Sequence, residues 1–293
     1  MVSFWVNYYI NIAILKWKFY KIDYIIVFMV KGQVCLTFDV EEFTSFDDYC
    51  ENSKYSNSTF FSAEGVTKLL KLLDKYDVKA TFFVTGYFAE NEPAIVKKIY
   101  SSGHEIASHS YRDEDHSKFD YSQTFKAISK SKQILGRLTC DKVSGFRMPG
   151  FSVNSYLSDV LKELDFKYDS SVHPAIVPGH YYNLFEKKDI YLFDGLSEIP
   201  LSVMPFFRCP ISFLWMRILG NRFTSFGADL NLIMGRPAVL YFHPWEFVKL
   251  PNIKGVPGYI TYNCGDKFFR QLEKFILRFK GCKFSKLVDL IKI

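Results

Sequence analysis

The chain opens its ordered chemistry at Val34-Cys35-Leu36-Thr37-Phe38-Asp39-Val40-Glu41-Glu42, an apolar run that ends in carboxylates. Strand alternation puts Asp39 and Glu41 on one face, roughly 6–7 Å apart. Two carboxylates so close repel one another unless something positive sits between or beside them. A metal ion and an arginine would together meet that need. Polar residues also follow other strand-like runs: His109 after His104–Ser108, Arg147 after Lys142–Phe146, Asp169 after Phe166-Lys167-Tyr168, and His243 after Leu240-Tyr241-Phe242. One such residue means little. Asp, Glu, His, Arg and His at five strand ends form the constellation expected of an active site.

The elements that must carry these residues alternate between strand and helix patterns. Lys79–Thr85 is strand-like and follows Ala63–Tyr76, where Val66, Leu69, Leu70 and Leu73 recur at helical spacing. Pro93 sits near the start of a short helix that ends before Gly103. Ser122–Leu138 and Asn154–Leu164 read as helices, Glu198–Val203 and Ala238–Phe242 as later strands, and Gly265–Phe279 as the last long helix. The repeated order predicts a parallel sheet, open or closed into a barrel. In such folds chemistry collects at the C-terminal ends of the strands.

The bulk composition sets bounds. A chain of 293 residues with 48% hydrophobic residues can bury a substantial core, which excludes a disordered protein. The net charge of +6 is spread along the chain without long Lys/Arg blocks, so no nucleic-acid partner is expected. The six cysteines include no CxxC pair, which argues against a zinc ribbon or a dense disulfide framework and favours a reducing compartment. Residues 1–30 are rich in Trp, Tyr, Phe and Ile. They lack a basic n-region and a small-residue cleavage site, and their longest uncharged stretch is too short to span a bilayer. An interfacial membrane anchor and a dispensable extension are both compatible with that segment. The expected arrangement is therefore an N-terminal extension over 1–30 and one catalytic domain over 31–293, located in the cytoplasm or peripheral to the membrane.

Four segments occur in order: Thr37-Phe38-Asp39-Val40-Glu41, Ser108-His109-Ser110-Tyr111-Arg112, Phe146-Arg147-Met148-Pro149-Gly150-Phe151 and Leu240-Tyr241-Phe242-His243-Pro244. Together they resemble the polysaccharide deacetylase family (the NodB-homology, or carbohydrate esterase family 4, domain), and within it the peptidoglycan-deacetylase-like branch. The resemblance covers about residues 32 to 290. It implies a distorted (β/α)7 barrel that hydrolyses an N-acetyl group on a sugar with a divalent metal, zinc foremost and Mn, Fe or Co as alternatives. By that resemblance Asp39 is the general base, Glu41 and His109 are metal ligands, and Arg147 pairs with Asp39 and keeps it ionised. The backbone N–H of Phe151 helps hold the oxyanion, and His243 is the acid that protonates the leaving amine. The expected partner is an N-acetylated sugar or glycan.

Two positions depart from the family pattern. The family places a second histidine four residues after the first, where this chain has Asp113. Asp113 is the expected third ligand, since an aspartate oxygen binds zinc at about 2.0–2.2 Å, and His116 is the alternative. A lost metal site, with a decayed carbohydrate-binding role, and an allantoinase-like hydrolysis of another C–N bond are the competing readings. The second departure is Val172, which stands where the acid that tunes the catalytic histidine would fall. Asp169 could take that part, although it is equally suited to capping a turn with Ser170 and Ser171, and Glu198 is another strand-borne acid that could contact the cleft. Of the other histidines, His104 reads as structural and His173 and His180 as solvent-facing rim residues. Trp245 is suited either to stacking on a sugar or to packing. Val172–Asp189 and Pro205–Asp229 read as loops.

Overall fold

A computed structural model describes residues 31–44, 55, 57–177, 181–251, 254 and 256–291. The expectations for residues 1–30, and for His180, lie outside the described residues. The first half runs β1 (Gln33–Val40), α1 (Phe60–Lys75), β2 (Thr81–Val84), α2 (Gly86–Asn91), α3 (Pro93–Ser101), β3 (Glu105–Ser108), α4 (Tyr121–Thr139), β4 (Gly145–Phe146), α5 (Leu157–Glu163) and β5 (Tyr168–Asp169). The second half adds the short strands β6 (Ile176–Val177), β7 (Tyr181–Tyr182), β8 (Tyr191–Phe193) and β9 (Leu196–Glu198), then α6 (Phe213–Leu219), α7 (Asn221–Ile233), β10 (Ala238–Phe242), α8 (Gly258–Thr261), α9 (Asp266–Arg278) and β11 (Lys283–Phe284).

The main sheet is ordered β10-β1-β2-β3-β4-β5-β9-β8, with β11 also paired to β1. All pairs from β10 to β9 are parallel, and only β8 runs antiparallel to its neighbour. The sheet curls until its ends meet at Ser202. The Ser202 N–H donates to Val239 O at 2.9 Å, and its hydroxyl accepts the Val239 N–H at 2.9 Å. The seven parallel strands thus form the distorted barrel expected from the sequence.

Alternation along β1 explains how the site is aimed. Val34, Leu36, Phe38 and Val40 face the helices and join the outer core, where Phe38 stacks on Phe82 at 5.0 Å. Cys35 faces the barrel axis with Phe83, Tyr168, Val239 and Tyr241. Thr37 and Asp39 share its parity, so the inward face of β1 becomes polar only at its C-terminal end. Both faces are covered, which is why β1 reads as an unbroken apolar run. Truncating Phe38 to Ala in such a core typically costs about 3–5 kcal/mol.

The helices follow their sequence signals. In α4, Asp120 and Gln123 form a reciprocal capping box. In α1, a Cβ at Gly65 would lie 2.0 Å from Pro244 O, so glycine permits the close approach of α1 to the turn that follows β10. Several expectations need correction. The strand predicted over Glu198–Val203 ends at Glu198, because the chain leaves the ladder to close the barrel at Ser202. The strand predicted over Lys142–Phe146 shrinks to Gly145–Phe146. The Pro205–Asp229 stretch is not a loop: it contains α6 and the start of α7, whose buried side chains come from a mixed sequence with no clear stripe.

Candidate active site

A cleft of about 270 Å³ opens at the C-terminal ends of the strands, lined by Asp39, Glu41, His109, Asp113, Phe151 and His243 among others. Arg147 lies beneath it, wholly buried. Every site residue expected from the sequence therefore comes to one place, although the residues span 205 positions of chain. Tyr181, Phe213, Tyr241 and Trp245 supply aromatic walls.

Asp39 is fixed by Arg147, whose Nη1 donates to Asp39 Oδ1 at 2.7 Å. The same guanidinium donates to Thr37 Oγ1 at 2.8 Å, Ser170 O at 3.1 Å and Ser170 Oγ at 2.9 Å, and it lies 4.1 Å from the centre of the Phe83 ring. A cation fully out of water needs such a shell of acceptors, and the planar guanidinium can reach several at once.

One ligand atom each from Glu41, His109 and Asp113 fall within 4.8 Å of one another. His109 Nδ1 lies 2.8 Å from Arg147 O; a carbonyl only accepts, so Nδ1 carries a proton, and Nε2 is the ring atom turned toward the carboxylates. That Nε2 sits 3.5 Å from Glu41 Oε2. Burial, together with the charges of Asp113, Asp39 and Glu42, pushes the Glu41 carboxyl well above the usual carboxylate range, against the pull of His243. Carboxylates gathered around an imidazole nitrogen, and mutually repelling without a cation, suit a divalent metal: the donor set is two oxygens and one nitrogen.

Asp113, rather than His116, joins the cluster. His116 is fully buried, with its ring 4.5 Å from that of Phe119, and its backbone is tied to Ser152 and Asn154. Burial, then the charge of His109, lowers its pKa to about 4, so it stays neutral. Asp113 is held by Thr44 Oγ1, which donates to Asp113 Oδ2 at 2.8 Å, and by its own N–H, which donates to Glu42 Oε1 at 3.2 Å. Glu42, not singled out in the sequence, is thus the brace for the aspartate that departs from the family pattern.

On the other side of the cleft His243 Nε2 lies 3.7 Å from Glu41 Oε1. Its tuning acid is Glu246, three residues on in the turn Pro244–Phe247. Glu246 Oε2 lies 3.5 Å from His243 Nδ1 and accepts the His243 N–H at 2.9 Å, while Glu246 Oε1 pairs with Arg217 Nε at 2.7 Å. Burial opposes charge on His243, but Glu41, Glu246 and Asp39 outweigh it and raise its pKa to about 9. A carboxylate three residues after a strand-end histidine was the available signal. Arg217, in α6, had none.

Other expected roles change. The Phe151 N–H donates to Met148 O at 3.1 Å inside the turn Pro149–Phe151, so it is committed to the chain rather than aimed into the cleft; Phe151 contributes its ring instead. Neither Asp169 nor Glu198 tunes His243. Asp169 accepts from Ser171 Oγ at 2.5 Å, Glu198 Oε1 accepts from Val172 N at 2.9 Å, and burial of this adjoining pair raises both pKa values, that of Asp169 to about 6. His173 is buried, not solvent-facing, and its Nδ1 lies 2.5 Å from Tyr181 Oη. His104 is structural: Nδ1 accepts the Ala80 N–H at 3.2 Å. Trp245 packs, stacked on His243 at 5.2 Å, with Nε1 3.5 Å from Glu41 Oε1.

The fold and cleft define a class: a curled parallel α/β barrel with a carboxylate–histidine cluster at its C-terminal mouth. Residues 30–168 match the family model described as polysaccharide deacetylase, and residues 170–292 match a domain of unknown function, DUF3473. Over residues 30–168, just under half of the chain, the protein is thus similar to the polysaccharide deacetylase family. It is 29% identical over 223 residues to a peptidoglycan deacetylase-like protein of Gibberella zeae, covering 74% of this chain and 59% of that one. It is 30% identical over 128 residues to the peptidoglycan deacetylase of Helicobacter pylori, covering 43% of each. The chain thus spans about half the length of these curated relatives. Among solved structures, a Mycobacterium smegmatis protein assigned to the polysaccharide deacetylases superposes with a TM-score of 0.64 at 22% identity over 91% of both chains. An allantoinase superposes at 0.65 with 17% identity over 90% of both. These two likenesses establish the barrel fold. The border between the two matched segments falls within β5, yet β10 of the second segment pairs with β1 of the first from Val34–Ala238 to Phe38–Phe242.

Proposed function

We propose that the protein is a metal-dependent hydrolase that removes N-acetyl groups from a carbohydrate. The observation that carries this reading is the Glu41–His109–Asp113 cluster, flanked by Asp39 on Arg147 at one side and His243 on Glu246 at the other. The peptidoglycan deacetylases among its relatives support the acetylated-glycan class. Glu41, His109 and Asp113 would hold the divalent cation, with zinc first and Mn, Fe or Co as alternatives. When bound, the cation supplies Lewis-acid polarisation of an acyl oxygen and acidifies nearby water.

This chain's residues do the proton work. Asp39, oriented by Arg147, accepts a proton from the water that attacks the acetyl carbon. His243, held charged by Glu41 and Glu246, donates a proton to the departing amine nitrogen, which is a poor leaving group until protonated. The aromatic walls at Tyr181 and Phe213 give a sugar ring apolar faces to lie against. The persistence of Asp39, Glu41, Arg147 and His243 around the cluster weighs against a decayed site.

The test is acetate release from N-acetylglucosamine oligomers by the full chain, alongside its metal content. Asp39→Asn is expected to abolish turnover while leaving the fold and the bound metal in place. A wild-type protein that holds no metal, and whose activity survives chelation, would sink the metal mechanism; turnover by Asp39→Asn would remove Asp39 from the base role.

A further inference from the structure

The short hairpin of β6 and β7 stands apart from the main sheet and forms part of the cleft wall. Its cross-strand pairs are Val177 with Tyr181 and Ile176 with Tyr182, and paired residues share a face. Val177 and Tyr181 line the cleft, while Tyr182 is 73% exposed on the other face. The hairpin is rooted where the Asn183 N–H donates to Ala175 O at 2.9 Å, two residues after His173. His173 is wholly buried, its ring 5.7 Å from those of Phe151 and Tyr181 and 5.8 Å from that of Tyr241. Its Nδ1 lies 2.5 Å from Tyr181 Oη, the one hydrogen bond that the Tyr181 side chain makes among the described residues. Its Nε2 is buried and has no hydrogen-bond partner among the described residues. Burial, and then the charge of Arg147, lowers the His173 pKa to about 3, so the ring is neutral and carries one proton.

The place of that proton decides what Tyr181 can do. On Nε2 it would be a buried N–H without an acceptor, and Tyr181 would have to give its own proton to Nδ1. On Nδ1 it is used: Nδ1–H donates to Tyr181 Oη, and only an acceptor at Nε2 is left unmatched. Buried N–H groups without an acceptor are rarer than buried acceptors without a donor. We propose that His173 donates through Nδ1 to Tyr181 Oη, and that the phenol proton so freed is a hydrogen-bond donor to an oxygen of the sugar substrate in the cleft. Tyr181 is then a substrate-contacting residue, and His173 is a positioning residue that acts through it. A side-chain donor has a place here, because the Phe151 N–H is bound to Met148 O. Burial pushes the Tyr181 hydroxyl up from its ordinary range, so it keeps the proton it would share. The substrate contact rests on the reading of the protein as a deacetylase; the place of the proton on His173 does not.

The experiment uses the full chain and has two arms. In the first, NMR of isotope-labelled histidine rings at neutral pH reads which nitrogen of His173 is protonated, the signals being assigned by their loss in His173→Asn. A proton on Nδ1 is expected; a proton on Nε2 overturns the proposal whatever the protein turns over. In the second arm, Tyr181→Phe removes only the hydroxyl and should lower kcat/KM for acetate release from N-acetylglucosamine oligomers by about tenfold or more. His173→Phe keeps a ring but loses the donor, and should show much of the same loss. His173→Asn, whose amide N–H can stand in for Nδ1–H, should recover most of it. The double variant Tyr181→Phe/His173→Phe should be no worse than Tyr181→Phe alone, since both changes remove one bond. A pair that only packs would lower the melting temperature without this pattern in kcat/KM. An active wild type with native kcat/KM in folded Tyr181→Phe overturns the proposal and leaves the deacetylase reading intact. A wild type that releases no acetate refutes that reading and the substrate contact with it, and the NMR arm still decides the His173–Tyr181 bond.

Discussion

Replacing Glu246 by Gln keeps the shape of a side chain that is fully buried and removes only its charge. In the native protein that charge faces Arg217 at 2.7 Å and His243 at 3.5 Å, and both partners are largely or wholly out of water. The amide still accepts the His243 N–H, so the loss falls on the ion pair. Breaking a buried pair while leaving its partner charged typically costs about 3–5 kcal/mol. Arg217 softens this only in part: its Nη1 donates to Ile260 O at 2.8 Å and Tyr262 O at 3.0 Å, but carbonyls do not neutralise it. At roughly 2–4 °C per kcal/mol for a domain of this size, the melting temperature should fall by about 6–20 °C. The double variant Arg217→Met/Glu246→Leu removes both charges and should recover much of that loss. The His243 pKa, raised to about 9, should move down, so the alkaline limb of kcat should move to lower pH. The sign also appears in stability. A histidine with a raised folded pKa stabilises fully below pH about 6.5, and that contribution is lost as pH rises through about 9. The gap between wild type and Glu246→Gln should therefore narrow between pH 6 and pH 10 in thermal unfolding followed by circular dichroism. A single variant within about 1 kcal/mol of wild type, or an unmoved alkaline limb, would refute this account of Glu246.

Arg147→Lys should retain metal but lower kcat by about 100-fold or more, because an ammonium cannot hold Asp39, Thr37 and Ser170 together and a 1 Å shift of the base is costly; near-native kcat would contradict the positioning role. Asp113→Ala should weaken metal affinity by about 100-fold or more, whereas His116→Ala should leave affinity within a few-fold and lower stability instead; metal titration of both variants distinguishes them. Burial holds His104 and His116 near pKa 4 and His173 near 3, with neighbouring positive charge adding to the effect. The unfolded chain binds those protons first, so stability should be lost as pH falls from about 6.5 through about 4, and urea midpoints at pH 7 and pH 5 measure it. A midpoint that does not decline on acidification would show that these rings find partners for their charge.

Much of the site was legible because strand ends repeat a simple local grammar. An apolar run followed by a polar residue marks the mouth of a parallel sheet, and Asp39, His109, Arg147 and His243 all obey it. Ala238–Phe242 coincides with its observed strand for the same reason: it is apolar throughout and buried on both faces. The short strands were less legible. Two residues at Tyr168–Asp169 make a barrel strand only because β4 and β9 lie on either side. The helices α6 and α7 were missed because their packing faces mix Arg, Asn, Thr and Gly with apolar residues, and Arg217 and Asn231 have partners far from them in the chain, Glu246 and Ile260 O for the first and Val203 O for the second.

By itself the sequence determined which face of β1 carries chemistry, since side-chain alternation is fixed by the backbone, and it determined that carboxylates, histidines and an arginine would share one end of a barrel. Only the tertiary structure decided which candidate in each ambiguous pair does the work. Asp113 rather than His116 meets Glu41 and His109, because Glu42 and Thr44 hold the first and Phe119 packs away the second. Glu246 rather than Asp169 faces His243, because Arg217 reaches it from a helix whose position depends on the closed barrel. Such choices turn on distances of a few ångströms between residues far apart in the chain, and local spacing carries no record of them.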